Sequence, residues 1–322
     1  MKNKKIIAVV GCGQWGTNLV RNFFELGVLS SVCDLNPSIA SIFAEKYNVK
    51  NCSFTEILTD QNIKGVVLVV PAELHASMAI DAMNKGKHVF VEKPLSLNQA
   101  EANLMITAAK KNNVQLMVGH LLQYHPIFKA IRKMIKNGDI GELQHIDSNR
   151  LSFGRVRLKE DVVWSFAPHD ISMILSLVGE EPEHVNCQSS SILQKNLSDI
   201  SSIHMKFKSG IKSDIRVSWI SPFKEVKLIV TGKSGILVFD DTKIWCEKLK
   251  LHSYEVENLK DRVIKKTKEE YIKVAEEEPL KNECQHFVNV VEGDLKPFTD
   301  ASEGMRVIKV LIAASLAKEN NL

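Results

Sequence analysis

A chain of 322 residues can form one large or two medium domains with ample core. Its 44% hydrophobic and 25% charged residues are those of an ordinary soluble globular protein, and a net charge of +4 argues for neither nucleic acid nor a membrane as partner. The six cysteines stand singly, with no C-x-x-C and no Cys/His zinc spacing, so no metal is expected and reduced thiols in a cytoplasmic protein are.

Met1 to Val10 imitates a secretory signal, but its apolar core is short and runs straight into a glycine turn. It reads instead as a first strand, Ile7-Ala8-Val9-Val10, followed by Gly11-Cys12-Gly13-Gln14-Trp15-Gly16 and a helical run from Asn18 to Phe24. A second strand, Ser31-Val32-Cys33, ends on Asp34. A lone G-x-G-x-x-G could be any strand-to-helix turn. Here it follows a strand, opens a helix and is answered about 20 residues on by an acid, the order a dinucleotide site needs. Gly11 permits the tight turn, Gly13 lets the backbone approach a pyrophosphate, Gly16 lets the helix pack close, and the helix start binds the phosphates. Asp34 suits an adenine ribose and would repel a 2′-phosphate, which favours NAD over NADP.

A helix over Pro37 to Tyr47 and a short one at Glu56-Ile57-Leu58 precede a continuous apolar run, Ile63 to Val70, of the kind a buried parallel strand shows. Pro71 ends it and a helix continues from His75 to Asn84. The strand Lys87 to Val91 leads into Glu92-Lys93-Pro94, Ser96 to Gln99 resembles a capping box for a helix to about Lys111, and Val114 to Val118 closes on Gly119-His120. Alternating strands and helices predict a doubly wound sheet, with Pro71, Lys93 and His120 all just past strand ends, near one crevice. Pro94 biases Lys93 toward an extended backbone, so its side chain projects from the strand end. In a partly dry crevice such a lysine exchanges protons with a hydroxyl, whereas by position alone it is equally a solvated surface lysine.

Leu121 to Pro126 leads into a helix, Ile127 to Ile135, and a strand-like run from Leu143 to Asn149. A basic, loop-like stretch, Arg150 to Lys159, contains Arg155 and Arg157. Pro168 fits the first position of a helix with apolar residues at Ile171, Ile174, Leu175 and Val178, which puts His169 in the first turn, where the helix dipole keeps its imidazole neutral. Asp170 reads as a favourable first-turn charge. Without further context His169 reads first as a core or capping histidine. From about Val185 the period changes to two, with a hairpin around Lys208-Ser209-Gly210 and further strands over Val226 to Thr231, Ile236 to Phe239 and Lys243 to Lys248. Gly232-Lys233-Ser234 reads as a hairpin turn. Lys260 to Glu278 is dense in both charges and reads as a mobile, solvated stretch, before helices over Asn282 to Val291 and Ser302 to Ala317. The expected fold is α/β: a Rossmann dinucleotide-binding domain over 1–121 and an α+β domain with a large open, mostly antiparallel sheet over 122–322, the last helix packing back on the first domain.

The glycine turn together with Val91-Glu92-Lys93-Pro94 resembles the Gfo/Idh/MocA oxidoreductases. The resemblance spans essentially the full chain. It implies a lysine, here Lys93, that contacts substrate and helps proton transfer, and it puts Glu92 and the stretch from Val70-Pro71 to His75 along the nicotinamide side of NAD. Gln14, Trp15 and His120 join them as cofactor-side candidates. It also implies that His169 is the acid/base residue. Many members carry an aspartate four residues earlier, where this chain has Ser165. The segments Ser148 to Leu151 and Trp164 to Asp170 resemble a branch that oxidises the C3 hydroxyl of UDP-N-acetylglucosamine or its uronic acid, on routes to surface-polysaccharide or lipid A sugars. Gln123, Tyr124 and Trp164 are then substrate-side candidates, and Arg155 and Arg157 suit a diphosphate, a solvated charged loop being the other reading of the two arginines. A homodimer or homotetramer through the second sheet is implied as well, and reoxidation of the bound cofactor by a 2-oxo acid is compatible with it. A polyol dehydrogenase of inositol type and a non-catalytic sugar- or dinucleotide-sensing regulator are the alternative functions.

Overall fold

The first apolar run becomes a central strand of a parallel sheet. In this computed structural model the described residues are 5–154, 156–257 and 263–319. In chain order they form β1 (Ile7–Val10), α1 (Gly16–Glu25), β2 (Leu29–Cys33), α2 (Pro37–Tyr47), β3 (Lys50–Asn51), α3 (Phe54–Thr59), β4 (Gly65–Leu68), α4 (His75–Asn84), β5 (His88–Glu92), α5 (Gln99–Lys111) and β6 (Leu116–Gly119). There follow α6 (Pro126–Asn137), β7 (Leu143–Phe153), α7 (Val162–Val178), β8 (Pro182–Ser190), β9 (Ile200–Phe207), β10 (Lys212–Ser218), β11 (Ile220–Gly232), β12 (Gly235–Asp240), β13 (Leu249–Glu257), β14 (Val263–Tyr271), α8 (Pro279–Glu292) and α9 (Ala301–Glu319). The chain divides into two units, Met1–Tyr124 with Glu278–Ile308, and His125–Glu277 with Lys309–Leu322.

Unit 1 holds a six-stranded parallel sheet in the order β3-β2-β1-β4-β5-β6. This is the doubly wound order, whose switch point lies between β1 and β4. Strands β1, β4 and β6 are buried at every position, which is why they read as unbroken apolar runs. Local chemistry sets the helix starts. Asn36 caps α2 by accepting from Ser38 N–H at 3.0 Å, and Ser53 and Glu56 form a reciprocal capping box at α3. Helix α5 differs from expectation: its cap is Asn98, which accepts from Glu101 N–H at 2.9 Å, while the Ser96 hydroxyl donates to Asn98 O at 2.7 Å. Asn98 to Glu101 supplies a cap and a first-turn acid two residues further on. Helix α8 also belongs to this unit, so the chain returns to it at Glu278, before the last helix. Phe287 sets its ring edge-on to Phe23 and Phe90, with centroids 6.3 and 5.7 Å away.

Unit 2 is built on an eight-stranded sheet, β14-β13-β12-β11-β7-β10-β9-β8, antiparallel except where β10 pairs with β7. Helix α7 covers β10, β7 and β9 on one face. Three expectations are corrected here. Strand β7 continues through the basic stretch as far as Phe153, because Arg150 turns inward to a buried acid. Lys243 to Lys248 forms a turn and a short 3₁₀ segment (Trp245–Glu247), tied down by Trp245 Nε1 donating to Val274 O at 2.8 Å. Part of the charged stretch forms β14, an edge strand whose Glu269 and Glu270 pair with Lys250, His252, Lys266 and Lys268. Charged edges resist pairing with another chain. Residues 258–262 lie outside the described residues.

Candidate active site

Gly11 sits at φ +98°, and a Cβ there would lie 2.2 Å from the Val69 carbonyl oxygen. A Cβ on Gly16 would lie 2.0 Å from Gly11 O, so α1 crosses its own turn at a distance only glycine permits. Gly13 is different: a Cβ there would meet nothing within 4 Å. The second glycine thus borders open space, as it must if a pyrophosphate is to approach the backbone. Helix α1 begins at this turn with no side-chain cap and no acid in its first turn, leaving its positive end for an anion. The carboxylate of Asp34 is held by Cys12 N–H at 2.7 Å and Asn36 N–H at 2.9 Å, which fixes it at the end of β2 with lone pairs left for hydroxyl donors. Burial pushes the neighbouring Cys12 thiol up to about 12, helped by the Asp34 charge and by Cys33. The residues present fit a dinucleotide: Gly11, Gly13 and Gly16 would admit its phosphates, with Gln14 exposed on the turn, and Asp34 would take its ribose.

Around the ends of β4, β5 and β6 the side chains are tied to one another. Trp15 Nε1 donates to Glu92 Oε1 at 2.6 Å and Lys93 N–H to Glu92 Oε2 at 3.2 Å. Burial still raises the Glu92 carboxyl above its ordinary range, against the lowering effect of the Trp15 bond and the Lys93 charge. Gly119 makes room for this group, since a Cβ there would lie 3.0 Å from the Glu92 carboxyl carbon. His75 bridges two loops, Nδ1 meeting Pro94 O at 2.8 Å and Nε2 meeting Val70 O at 2.9 Å. Burial lowers its pKa, and the neutral ring has a single N–H, so it donates to one of these two carbonyls while lying between the half-buried Val70 and Pro94, with Pro71 exposed. Lys93 is half-buried. His120 is buried, its Nδ1 on Glu303 Oε2 at 2.5 Å and its Nε2 without a hydrogen-bond partner among the described residues.

Two substrate-side candidates in this unit turn out to be core. Tyr124 has its hydroxyl on Thr299 Oγ1 at 3.0 Å and its ring against His286 and Phe298, and burial raises its phenol. Gln123 is likewise buried.

In unit 2 the helix carrying His169 starts earlier than the sequence suggests. Asp161 caps it, accepting from Val163 and Trp164 N–H at 3.1 Å each, and Pro168 lies inside it. His169 is therefore in the third turn, and the helix dipole gives no reason for a neutral imidazole. It is half-buried. Asp170 is not a first-turn charge: it is buried, receives Arg150 Nε at 2.7 Å and Nη2 at 3.1 Å, and accepts from Ser148 Oγ at 2.7 Å. Trp164 is half-buried and donates to Ser315 Oγ at 3.1 Å. Arg157 is exposed, with Nε 3.6 Å from Glu160, and Arg155 lies outside the described residues.

Sequence reasoning missed Glu303, Gly119 and Glu283. Glu283 is fully buried on α8, neither oxygen has a hydrogen-bond partner among the described residues, and burial with the nearby Glu92 raises its carboxyl well above the ordinary range. An acid inside the apolar pattern of Leu280, Cys284, Phe287 and Val288 was the available signal.

Comparison with known proteins decides the family. Residues 5–120 match the oxidoreductase family with the NAD-binding Rossmann fold of the Gfo/Idh/MocA type, and residues 128–238 match the Gfo/Idh/MocA C-terminal domain. The chain belongs to the Gfo/Idh/MocA oxidoreductases. It is an NAD-binding enzyme of that family. A UDP-N-acetylglucosamine 3-dehydrogenase of Acidithiobacillus ferrooxidans is 23% identical, covering 97% of this chain and 96% of its own. A myo-inositol 2-dehydrogenase of Thermotoga maritima is 27% identical over 74% of this chain and 75% of its own. The crystal structure of the Acidithiobacillus enzyme superimposes with TM-score 0.87 at 22% identity, over 99% of both chains. That of the WlbA dehydrogenase of Bordetella pertussis, in complex with NADH and UDP-GlcNAcA, gives 0.81 at 20%, over 99% of this chain and 98% of that one. These two likenesses establish the fold. None of the described helices is long and apolar enough to cross a membrane.

Proposed function

We propose that this enzyme oxidises the C3 hydroxyl of a nucleotide sugar of the UDP-N-acetylglucosamine type, with NAD as the hydride acceptor. The carrying observation is the strand end after β5. Glu92 is clamped by Trp15 and by the Lys93 N–H, and His75 lies between Val70 O and Pro94 O and donates to one of them. Lys93 thus hangs from a fixed backbone, as a cation must if it is to meet a developing alkoxide reproducibly. Lys93 stabilises that charge, and His169 accepts the hydroxyl proton directly or through Lys93. Ser165, one turn earlier, supplies no carboxylate for a relay. Asp34 favours NAD, since its charge would repel a 2′-phosphate. Arg155 and Arg157 take the substrate diphosphate and Trp164 flanks the sugar. The enzyme works in the cytoplasm as a homodimer or homotetramer through the sheet of unit 2. The likeness to the Acidithiobacillus enzyme along nearly the whole chain supports the nucleotide sugar.

The test is NADH formation from UDP-N-acetylglucosamine, its uronic acid and myo-inositol in one panel. The proposal expects turnover with a UDP-sugar, lost in Lys93→Met and in His169→Asn while NAD binding persists. Full activity in either variant removes that residue from the mechanism. The Thermotoga relative supports a second reading, a free polyol as substrate, which NADH from myo-inositol alone would establish.

A further inference from the structure

Helix α8 lays a row of side chains along β5 in unit 1. Phe287 packs edge-on against Phe90, with ring centroids 5.7 Å apart. One turn further along the helix, Val291 closes on Gly65, the β4 partner of His88 at the start of β5. A Cβ on Gly65 would lie 2.9 Å from Val291 Cγ2 and 3.1 Å from Phe287 Cε1. The helix therefore runs antiparallel to the strand. One turn back from Phe287 is Glu283, and two residues on from Phe90, on the same face of β5, is Glu92. The row thus brings two carboxyl groups together at the end of the strand, close enough that the charge on Glu92 raises the Glu283 carboxyl.

Their surroundings differ. Glu92 receives Trp15 Nε1 at 2.6 Å and the Lys93 N–H at 3.2 Å. Glu283 is 0% exposed, and neither of its oxygens has a hydrogen-bond partner among the described residues. A carboxylate without a donor in a dry interior is far costlier than the neutral acid, and a second anion beside it raises that cost. Lys93 and His120 face the pair on the Glu92 side, with Glu303 behind His120. Tyr124 and Cys284 face it on the Glu283 side, and burial keeps both of them neutral. Two donors suit an anion at Glu92, so the proton of the pair resides on Glu283.

Glu92 is also tied to the glycine turn, because Trp15 belongs to that turn. A dinucleotide with its ribose on Asp34 and its pyrophosphate on the turn must cross the switch point between β1 and β4, which carries its other half toward the ends of β4 and β5. In NAD+ that half is a cation, in NADH it is neutral, and the phosphates are the same. We propose that Glu92 and Glu283 share a single proton, which binding of NAD+ expels to solvent and binding of NADH leaves in place. The pair then passes from one negative charge to two as the buffer takes up the proton. Glu283 is a positioning residue: it acts through Glu92, matching the charge at the strand end to the oxidation state of the cofactor. The proposal rests on the reading that NAD lies across these strand ends.

The test is calorimetric titration of the full-length protein with NAD+ and with NADH, in buffers of different ionisation enthalpy, which counts the protons released. Release peaking at about one proton per chain between about pH 6 and 8 is expected with NAD+, in excess of that with NADH, and the excess is lost in Glu283→Gln. NAD+ affinity, relative to NADH, should rise by as much as about tenfold per pH unit in that window for the wild type and stay level in the variant. Infrared difference spectra of the wild type are a second readout that needs no variant. The carbonyl band of an un-ionised carboxylic acid should be lost on adding NAD+ and persist with NADH. Three results would each overturn the proposal: equal proton counts for the two cofactors, no acid band lost with NAD+, or the excess release retained in Glu283→Gln, which would assign it to Lys93. Failure of the cofactor reading looks different, since neither NAD+ nor NADH would then bind, and it takes the proposal with it.

Discussion

Two alanine substitutions separate folding from cofactor binding in the glycine turn. In Gly11→Ala the new methyl group would overlap the Val69 carbonyl at 2.2 Å, and the backbone would remain at φ +98°. The left-handed conformation alone costs about 1–2 kcal/mol, and relief of the overlap requires a strand end to move, so the total should exceed about 3 kcal/mol. At about 2–4 °C per kcal/mol, the unfolding of unit 1 should fall by at least about 6 °C. In Gly13→Ala the methyl group meets no atom within 4 Å, so stability should change by less than about 0.5 kcal/mol. That open space is where a pyrophosphate would approach, and NAD affinity should fall at least about tenfold, or about 1.4 kcal/mol. Thermal unfolding followed by circular dichroism and calorimetric titration with NAD+ measure the two effects. If Gly13→Ala bound NAD as tightly as the wild type, the phosphates would not lie at this turn and the reasoning would fail.

His125 caps α6 and is held neutral, its pKa lowered to about 4 by burial against the raising effect of Asp241. Between pH 6.5, its ordinary value, and about 4 the unfolded chain takes a proton that the folded chain refuses, so stability falls as pH falls through that window. The full shift is worth about 3 kcal/mol, and denaturant titrations should show His125→Asn, which keeps a capping side chain, losing about that much less than wild type from pH 7 to 4. Asp170→Asn leaves the Arg150 guanidinium without its buried carboxylate, which should cost about 3–5 kcal/mol and lower the melting of unit 2 by roughly 6–20 °C. A fall below about 2 °C would mean that the pair is not structural. With its thiol pushed up to about 12, Cys12 should resist alkylation at pH 8, while the exposed Cys246 reacts, as peptide mass mapping would report.

The glycine turn, Asp34 and the run of buried strands were legible because their signals are local: a turn, an apolar run, an acid at fixed spacing. The family signature at Glu92-Lys93-Pro94 was equally plain. What stayed hidden depends on partners far along the chain. Arg150 read as the start of a solvated loop because the acid that draws it inward, Asp170, lies on a helix twenty residues later. Pro168 read as a helix start because proline favours that position, whereas Asp161 had already capped the helix a turn and more earlier. Tyr124 stood as a substrate-side candidate through the family resemblance, and Thr299, which holds its hydroxyl, arrives only with the returning chain. The alternation that should have marked β14 was obscured by charge, since an edge strand has little apolar partner surface to advertise.

The proposed reaction removes hydride from C3 of a nucleotide sugar. UDP-N-acetylglucosamine carrying deuterium at C3, incubated with the enzyme and NAD+, tests this most directly by mass spectrometry of the reduced cofactor. Deuterium in that product, with none formed by Lys93→Met, is the expected result. Reduced cofactor without deuterium, or none from any UDP-sugar under conditions where NAD+ binds, would contradict the assignment.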